Sequence, residues 1–196
     1  MRKIGITGGI GSGKSTVCAI FESMGIPVYN ADREAKQLYT TDLQLKQDII
    51  QLFGDEVYPN DIFHAPSLAA KVFGNPERLA LLNQSVHPRV KQHAIDWMQQ
   101  QQSPYIIKEA ALLIESGAYH DVDTCILVQC PLELRIQRVM QRDLHTREEI
   151  QHRIDAQWSD EKKAAYCQHF IHNDSSHALI PQVLALHRLF LSSPST

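Results

Sequence analysis

The sequence predicts an α/β fold in which helices flank a parallel sheet. Three observations carry that prediction. Short apolar runs alternate with helix-period stretches along the 196 residues, the pattern of a parallel sheet joined by helical crossovers. The first run ends in a glycine-rich loop that opens a helix. The longest interval between apolar runs, residues 31–102, holds helical patterns alone, which marks an insert on the sheet.

Residues 2–7 read as a short buried strand with its apolar core at 4–7. Gly8-Gly9-Ile10-Gly11-Ser12-Gly13-Lys14-Ser15 follows and completes the G-x-x-x-x-G-K-[ST] phosphate loop. Residues 16–24 leave it as a helix, with Val17, Ile20, Phe21 and Met24 on one face. Backbone without Cβ atoms can close on phosphate oxygens, and the loop N–H groups form an anion nest at a helix N-terminus. Gly9, Gly11, Ser12, Gly13, Lys14, Ser15 and Thr16 are therefore the candidate nucleotide contacts. Lys14 would reach the β- and γ-phosphates, and the Ser15 hydroxyl would ligate Mg²⁺. The bland alternative is a glycine turn that only packs. A dinucleotide fingerprint is excluded by spacing, because its third glycine would fall at Lys14.

Further core strands are expected at 27–30, 105–108, 125–129 and 170–172. Within the insert, helical patterns cover 32–39, 43–53, 67–72, 77–83 and 88–102, separated by turn signals such as Gly54-Asp55 and Gly74-Asn75-Pro76. A second, polar helical stretch runs over 135–166. Arg135, Arg138 and Arg142 fall there at spacings of three and four and share one helix face. That face is either solvated and paired with acids or the positive side of a lid that closes over a phosphate donor.

Composition narrows the class. The formal net charge is −3 and no basic stripe stands out, which argues against nucleic-acid binding. No signal peptide and no apolar run long enough for a membrane span is read, so an intracellular, cytoplasmic enzyme is expected. Four cysteines lie without C-x-x-C spacing and ten histidines are dispersed, so neither a disulfide nor a zinc site is expected. Neither Asn-Lys-x-Asp nor Asp-x-x-Gly occurs, which weighs against the switch GTPases and leaves a small-molecule kinase. A kinase for another metabolite, such as a nucleoside monophosphate or a sugar acid, and a non-catalytic ATP-binding module remain alternatives.

Beyond the loop, the motifs occur in a specific order. Asn30-Ala31-Asp32 ends the second strand. His87-Pro88-Arg89-Val90 lies in the insert. Glu109-Ala110-Ala111-Leu112-Leu113-Ile114-Glu115-Ser116-Gly117 follows the third strand. Arg138 and Arg142-Asp143 lead to Arg153-Ile154-Asp155-Ala156-Gln157, and Asn173 follows the last strand. In this order and over nearly the whole chain, the sequence resembles the dephospho-coenzyme A kinase family. It departs from the family pattern at Asn30 and Glu109 (usually aspartates), Lys36 (arginine), Ala111 (proline), and Leu144 and Ser175 (glycines).

The resemblance implies a P-loop, nucleotide-kinase-like domain spanning 1–196. Residues 1–30, 103–134 and 167–196 would form the nucleotide-binding core, 31–102 the acceptor-binding insert and 135–166 the lid. It implies transfer of the ATP γ-phosphoryl to the ribose 3′-hydroxyl of dephospho-coenzyme A, the final step of coenzyme A biosynthesis. The implied roles are Asp32 as base, Lys14 and Arg142 on the transferring phosphate, Arg138 and Asn173 along the nucleotide, and Glu109 with Ser15 at Mg²⁺. Each has a plainer alternative. Asp32 would N-cap a helix beginning at Arg33, Glu109 would be a solvated strand-end carboxylate, and Asn173 a turn residue. His87 is expected at a helix start, as a cap or structural contact.

Overall fold

The computed structural model describes residues 1–142 and 146–192. Asp143 and Leu144, named above, lie outside the described residues. From the N-terminus the chain runs β1 (Arg2–Thr7), α1 (Lys14–Ser23), β2 (Val28–Asn30), α2 (Ala31–Thr41), α3 (Leu43–Phe53), α4 (Ala65–Val72), α5 (Pro76–Gln99) and β3 (Tyr105–Glu109). It continues through β4 (Thr124–Gln129), α6 (Leu132–Arg142), α7 (Arg147–Asp155), α8 (Asp160–Ala164), β5 (His169–His172) and α9 (Leu179–Ser192). These elements form two compact units, Met1–Asn30 with Gln101–Thr196, and Ala31–Gln100.

The first unit is built on one parallel sheet in the order β2-β3-β1-β4-β5. Its central strands are buried on both faces, which is why their sequences read as continuous apolar runs and not as alternations. Ile4, Ile6, Tyr105, Ile107, Ile126 and Val128 from the strands pack with Val17 and Phe21 of α1 and with Val183 and Phe190 of α9. Parallel pairing brings every strand's carboxyl end to one edge. In register there, Asn30 lies beside Glu109 and Gln129 beside His172. The chain leaves β1 toward β2 on one side, while β4 flanks β1 on the other. The phosphate loop emerges from β1 at this switch point, where open α/β sheets bind ligands.

The second unit is helical and has its own core of Leu38, Leu45, Ile49, Phe53, Val57, Tyr58, Leu68, Leu82 and Val86. Asp42 starts α3 by accepting from the N–H groups of Gln44 and Leu45. Gly54, at φ 93°, ends it. Two expectations are corrected here. The patterns at 77–83 and 88–102 are one helix, α5, which runs through Pro88. Its inward stripe Leu82, Val86, Val90 continues at intervals of four across the proline, while Pro88 itself faces solvent. Water can therefore satisfy the carbonyl that the missing N–H leaves unpaired. His87 is accordingly an exposed mid-helix residue and not a helix start. Likewise α2 begins at Ala31, directly after β2, so Asp32 sits inside its first turn and is not the cap before it.

Candidate active site

The phosphate loop spans Gly8–Gly13, between the end of β1 and the start of α1. Gly13 stands at the helix N-cap at φ 90°, a left-handed backbone that glycine adopts without penalty. A Cβ there would also lie 2.1 Å from Asn173 Nδ2. Among the described residues no side chain caps α1, and its first turn holds no acidic residue, so the first N–H groups of the helix offer an anion subsite. Ser15 and Thr16 are exposed in that turn. Ser12 is fully buried, and its hydroxyl has no protein partner among the described residues. Lys14 lies back along the loop, donating to the carbonyls of Gly8 at 2.9 Å and Gly9 at 3.2 Å. Its ammonium is thus held at the loop and not free in solvent.

The loop is braced from the far side of the sheet. Asn173 extends the β4–β5 pairing by donating its N–H to Gln129 O at 2.9 Å, and its Nδ2 donates to Ser12 O at 2.8 Å. Arg138 on α6 donates to both the backbone and side-chain oxygens of Asn173, each at 3.2 Å. Its Nη1 also lies 3.3 Å from Cys130 Sγ. Arg138 and Asn173 thus hold the loop backbone as well as bordering it. The three arginines of the predicted face differ in depth. Arg135 is buried, Arg138 half-buried, and Arg142 exposed at the end of α6.

The helical spacing marks Arg135 as part of the arginine face without giving it a separate role. Its Nε donates to Ile10 O at 3.0 Å, and its Nη1 lies 3.7 Å from Asp160 Oδ1. Burial raises the Asp160 carboxyl above its ordinary value, while Arg135 and then Lys163 pull it back. Gln157 accepts from Ile10 N–H at 3.0 Å. Lys163 is wholly buried, pairs with Glu115 at 3.0 Å and donates to Ala111 O at 3.0 Å. Glu115 also accepts from Trp158 N–H at 3.1 Å. These ties fasten the segment after β3 to α8. Gln157 and Glu115 fall inside motifs that carry no sign of these contacts, and the arginine spacing of three and four is the local signal for Arg135.

On the β2 side, Glu109 belongs to β3 itself and is buried. Asn30 Nδ2 donates to its Oε2 at 2.6 Å, as the strand register dictates. Burial, and then the Glu109 charge, push the Cys18 thiol strongly upward. The solvated-carboxylate alternative for Glu109 therefore does not describe it. Asp32 follows two residues beyond Asn30 in the chain, exposed in the first turn of α2.

Sheet order, glycine loop and the braces behind it define the class as a P-loop kinase. A shikimate kinase structure from Acinetobacter baumannii shares the fold, with a TM-score of 0.55 at 14% identity, covering 98% of this chain and 94% of that one. The structure of TT1252 from Thermus thermophilus has a TM-score of 0.89 at 33% identity, covering 98% of each chain. A dephospho-CoA kinase from Campylobacter jejuni has a TM-score of 0.69 at 28% identity, covering 96% of each. The family model for dephospho-CoA kinase matches residues 2–178. A dephospho-CoA kinase of Bacteroides fragilis is 42% identical, over 94% of this chain and 90% of its own length. One from Pasteurella multocida is 33% identical over 96% and 94%. The chain belongs to the dephospho-CoA kinase family, ATP-dependent kinases of the final step of coenzyme A biosynthesis.

Proposed function

We propose that this chain transfers the γ-phosphoryl of ATP to the ribose 3′-hydroxyl of dephospho-CoA, with the following residue roles. The loop N–H groups and the open N-terminus of α1 bind the phosphates. Lys14 exchanges its loop carbonyls for the β- and γ-phosphate oxygens. Asp32 accepts the proton of the attacking hydroxyl, and Arg142 meets the charge that develops on the transferring group. Arg138 and Asn173 keep the loop in shape along the nucleotide.

Mg²⁺ fits the donors present. Ser15 offers an exposed hydroxyl at the helix start and Glu109 a carboxylate at the sheet edge, the oxygen ligands that a hard cation prefers. When bound there the ion would neutralise phosphate charge, while Asn30 fixes the direction of the Glu109 carboxylate. Among the described residues no helix is long and apolar enough to cross a membrane, and the same reading places the enzyme in the cytoplasm. We assign no nucleic-acid partner.

The observation that carries this reading is the start of α1 at the Gly8–Ser15 loop, which no side chain caps among the described residues. The test is incubation with ATP, Mg²⁺ and dephospho-CoA, followed by phosphorus NMR of the product. A new 3′-phosphomonoester with equimolar ADP is expected. ADP release with shikimate or a nucleoside monophosphate but not with dephospho-CoA would replace the acceptor. ATP binding without any turnover would reduce the chain to a binding module.

A further inference from the structure

Ile10 sits at the tip of the phosphate loop, at a position the motif leaves open. All three of its groups are engaged by the stretch that begins at α6. Its side chain packs against Ile136, Val139 and Ile150, with Ile154 alongside. Its N–H donates to Gln157 Oε1 and its carbonyl accepts from Arg135 Nε, both at 3.0 Å. Arg135 is 8% exposed and lies against the loop so closely that a Cβ on Gly9 would fall 2.0 Å from its Nη2.

The consequence follows from the planarity of the peptide unit. In a trans peptide the C=O and the next N–H point in opposite directions. Arg135 draws the Ile10 carbonyl outward, so the Gly11 N–H on the same peptide points to the other side. The preceding peptide is held on both edges. Gln157 takes the Ile10 N–H outside, while the Gly9 carbonyl accepts from Lys14 Nζ at 3.2 Å and from Ser12 N–H at 3.1 Å. The Lys14 side of the loop is where phosphate binds. Two consecutive peptide planes of a glycine-rich segment, otherwise free to rotate, are therefore set from outside.

We infer that Arg135 is a positioning residue for phosphoryl transfer: through the Ile10 carbonyl it turns the Gly11 N–H into the phosphate cradle, with Gln157 fixing the peptide before it. The shape of the cradle then depends on how α6 and the α7–α8 connection seat on Ile10. This rests on reading Gly8–Ser15 as the ATP site.

The test compares Arg135→Met, Arg135→Lys, Gln157→Met and the double Met variant with the wild type. Thermal unfolding, kcat, both KM values and the amide NMR shift of Gly11 on ATP addition are measured. Arg135→Met is expected to lower kcat about tenfold or more, set against the roughly 10²–10³ typical of losing a donor that touches the developing charge directly, because Arg135 acts through Ile10. It should also raise KM for ATP, leave KM for the acceptor unchanged and abolish the Gly11 shift. Arg135→Lys recovers part of the loss, because an ammonium can still donate to Ile10 O. Gln157→Met acts in the same direction, and the double variant loses less than the product of the singles, since both act on Ile10. If Arg135→Met does not fold, Gln157→Met alone decides through the same readouts. Wild-type kcat, KM for ATP and Gly11 shift in a folded variant, whatever its melting temperature, would overturn the inference. A wild-type enzyme that neither binds nor turns over ATP would instead overturn the ATP-site reading, so the two failures are distinct.

Discussion

Asp32 and Ser175 show how a single backbone position decides what a substitution tests. Asp32 lies in the first turn of α2 and not at its cap, where its carboxylate interacts favourably with the helix dipole. Asn keeps the shape and loses the proton acceptor. Asp32→Asn is therefore expected to fold and bind ATP normally while kcat drops roughly 10²–10⁴-fold, the span for a positioned general base. Calorimetric ATP titration and steady-state kinetics on one preparation check it, and a near-normal kcat would leave Asp32 only a helix residue. Ser175, in the loop between β5 and α9, has φ 70°. A left-handed backbone costs an L-residue about 1–2 kcal/mol, partly offset by the entropy that glycine loses on folding. Ser175→Gly is expected to stabilise the protein by about 0.5–1 kcal/mol, read as a higher urea midpoint at unchanged slope. Glycine is thus the residue that this backbone favours.

At the scale of elements, α6 joins structure to chemistry along one stripe. Arg135 and Arg138 spend their donors on Ile10 and Asn173, and so on the loop. Arg142, two turns beyond Arg135, is exposed at the helix end. The inner arginines brace the loop, and the proposed contact with the nucleotide falls to the outer one. Arg142→Ala is expected to lower kcat by about 10²-fold with little change in melting temperature, because a cation facing developing charge helps the transition state more than the ground state. Equal loss in Tm and in the folded fraction, with kinetics of the folded enzyme intact, would make Arg142 a surface residue. The α5 helix carries a different lesson. Pro88 breaks the local hydrogen-bond pattern, yet the stripe of Leu82, Val86 and Val90 keeps one helix because burial of that face outweighs one lost bond.

Across the whole molecule, what was legible in the sequence is what local pattern controls. The apolar runs at 4–7, 105–108 and 125–129 became buried parallel strands, and the glycine loop fell between β1 and α1. Local break signals fail where the chain continues through them, at Pro88 inside α5 and at the start of α2. Contacts between distant residues were invisible. Arg135 meets Ile10 across 125 residues, and Asn173 meets Ser12 across 161. Helical spacing put three arginines on one face but could not say that a loop would bury the first. The same long-range packing makes stability pH-dependent at the edge of the sheet. His169 on β5 stands edge-on to Phe190 of α9 at 5.2 Å, and Arg2 of β1 lies over that same ring. Burial, and then the Arg2 charge, lower the His169 pKa below its ordinary value. The unfolded chain therefore takes up a proton at this residue before the folded protein does. The stability involved is fully present above the ordinary histidine value, near pH 6.5, and is lost as pH falls from there through the folded value. His169→Phe keeps a ring against Phe190 and removes the titration. Melting temperatures of wild type and variant, taken from pH 8 down to pH 5, are expected to diverge below about pH 6.5, with the wild type falling more steeply. Parallel curves across that interval would mean that His169 binds its proton equally well in both states, and that the packing of β5 against α9 does not exclude the charged ring.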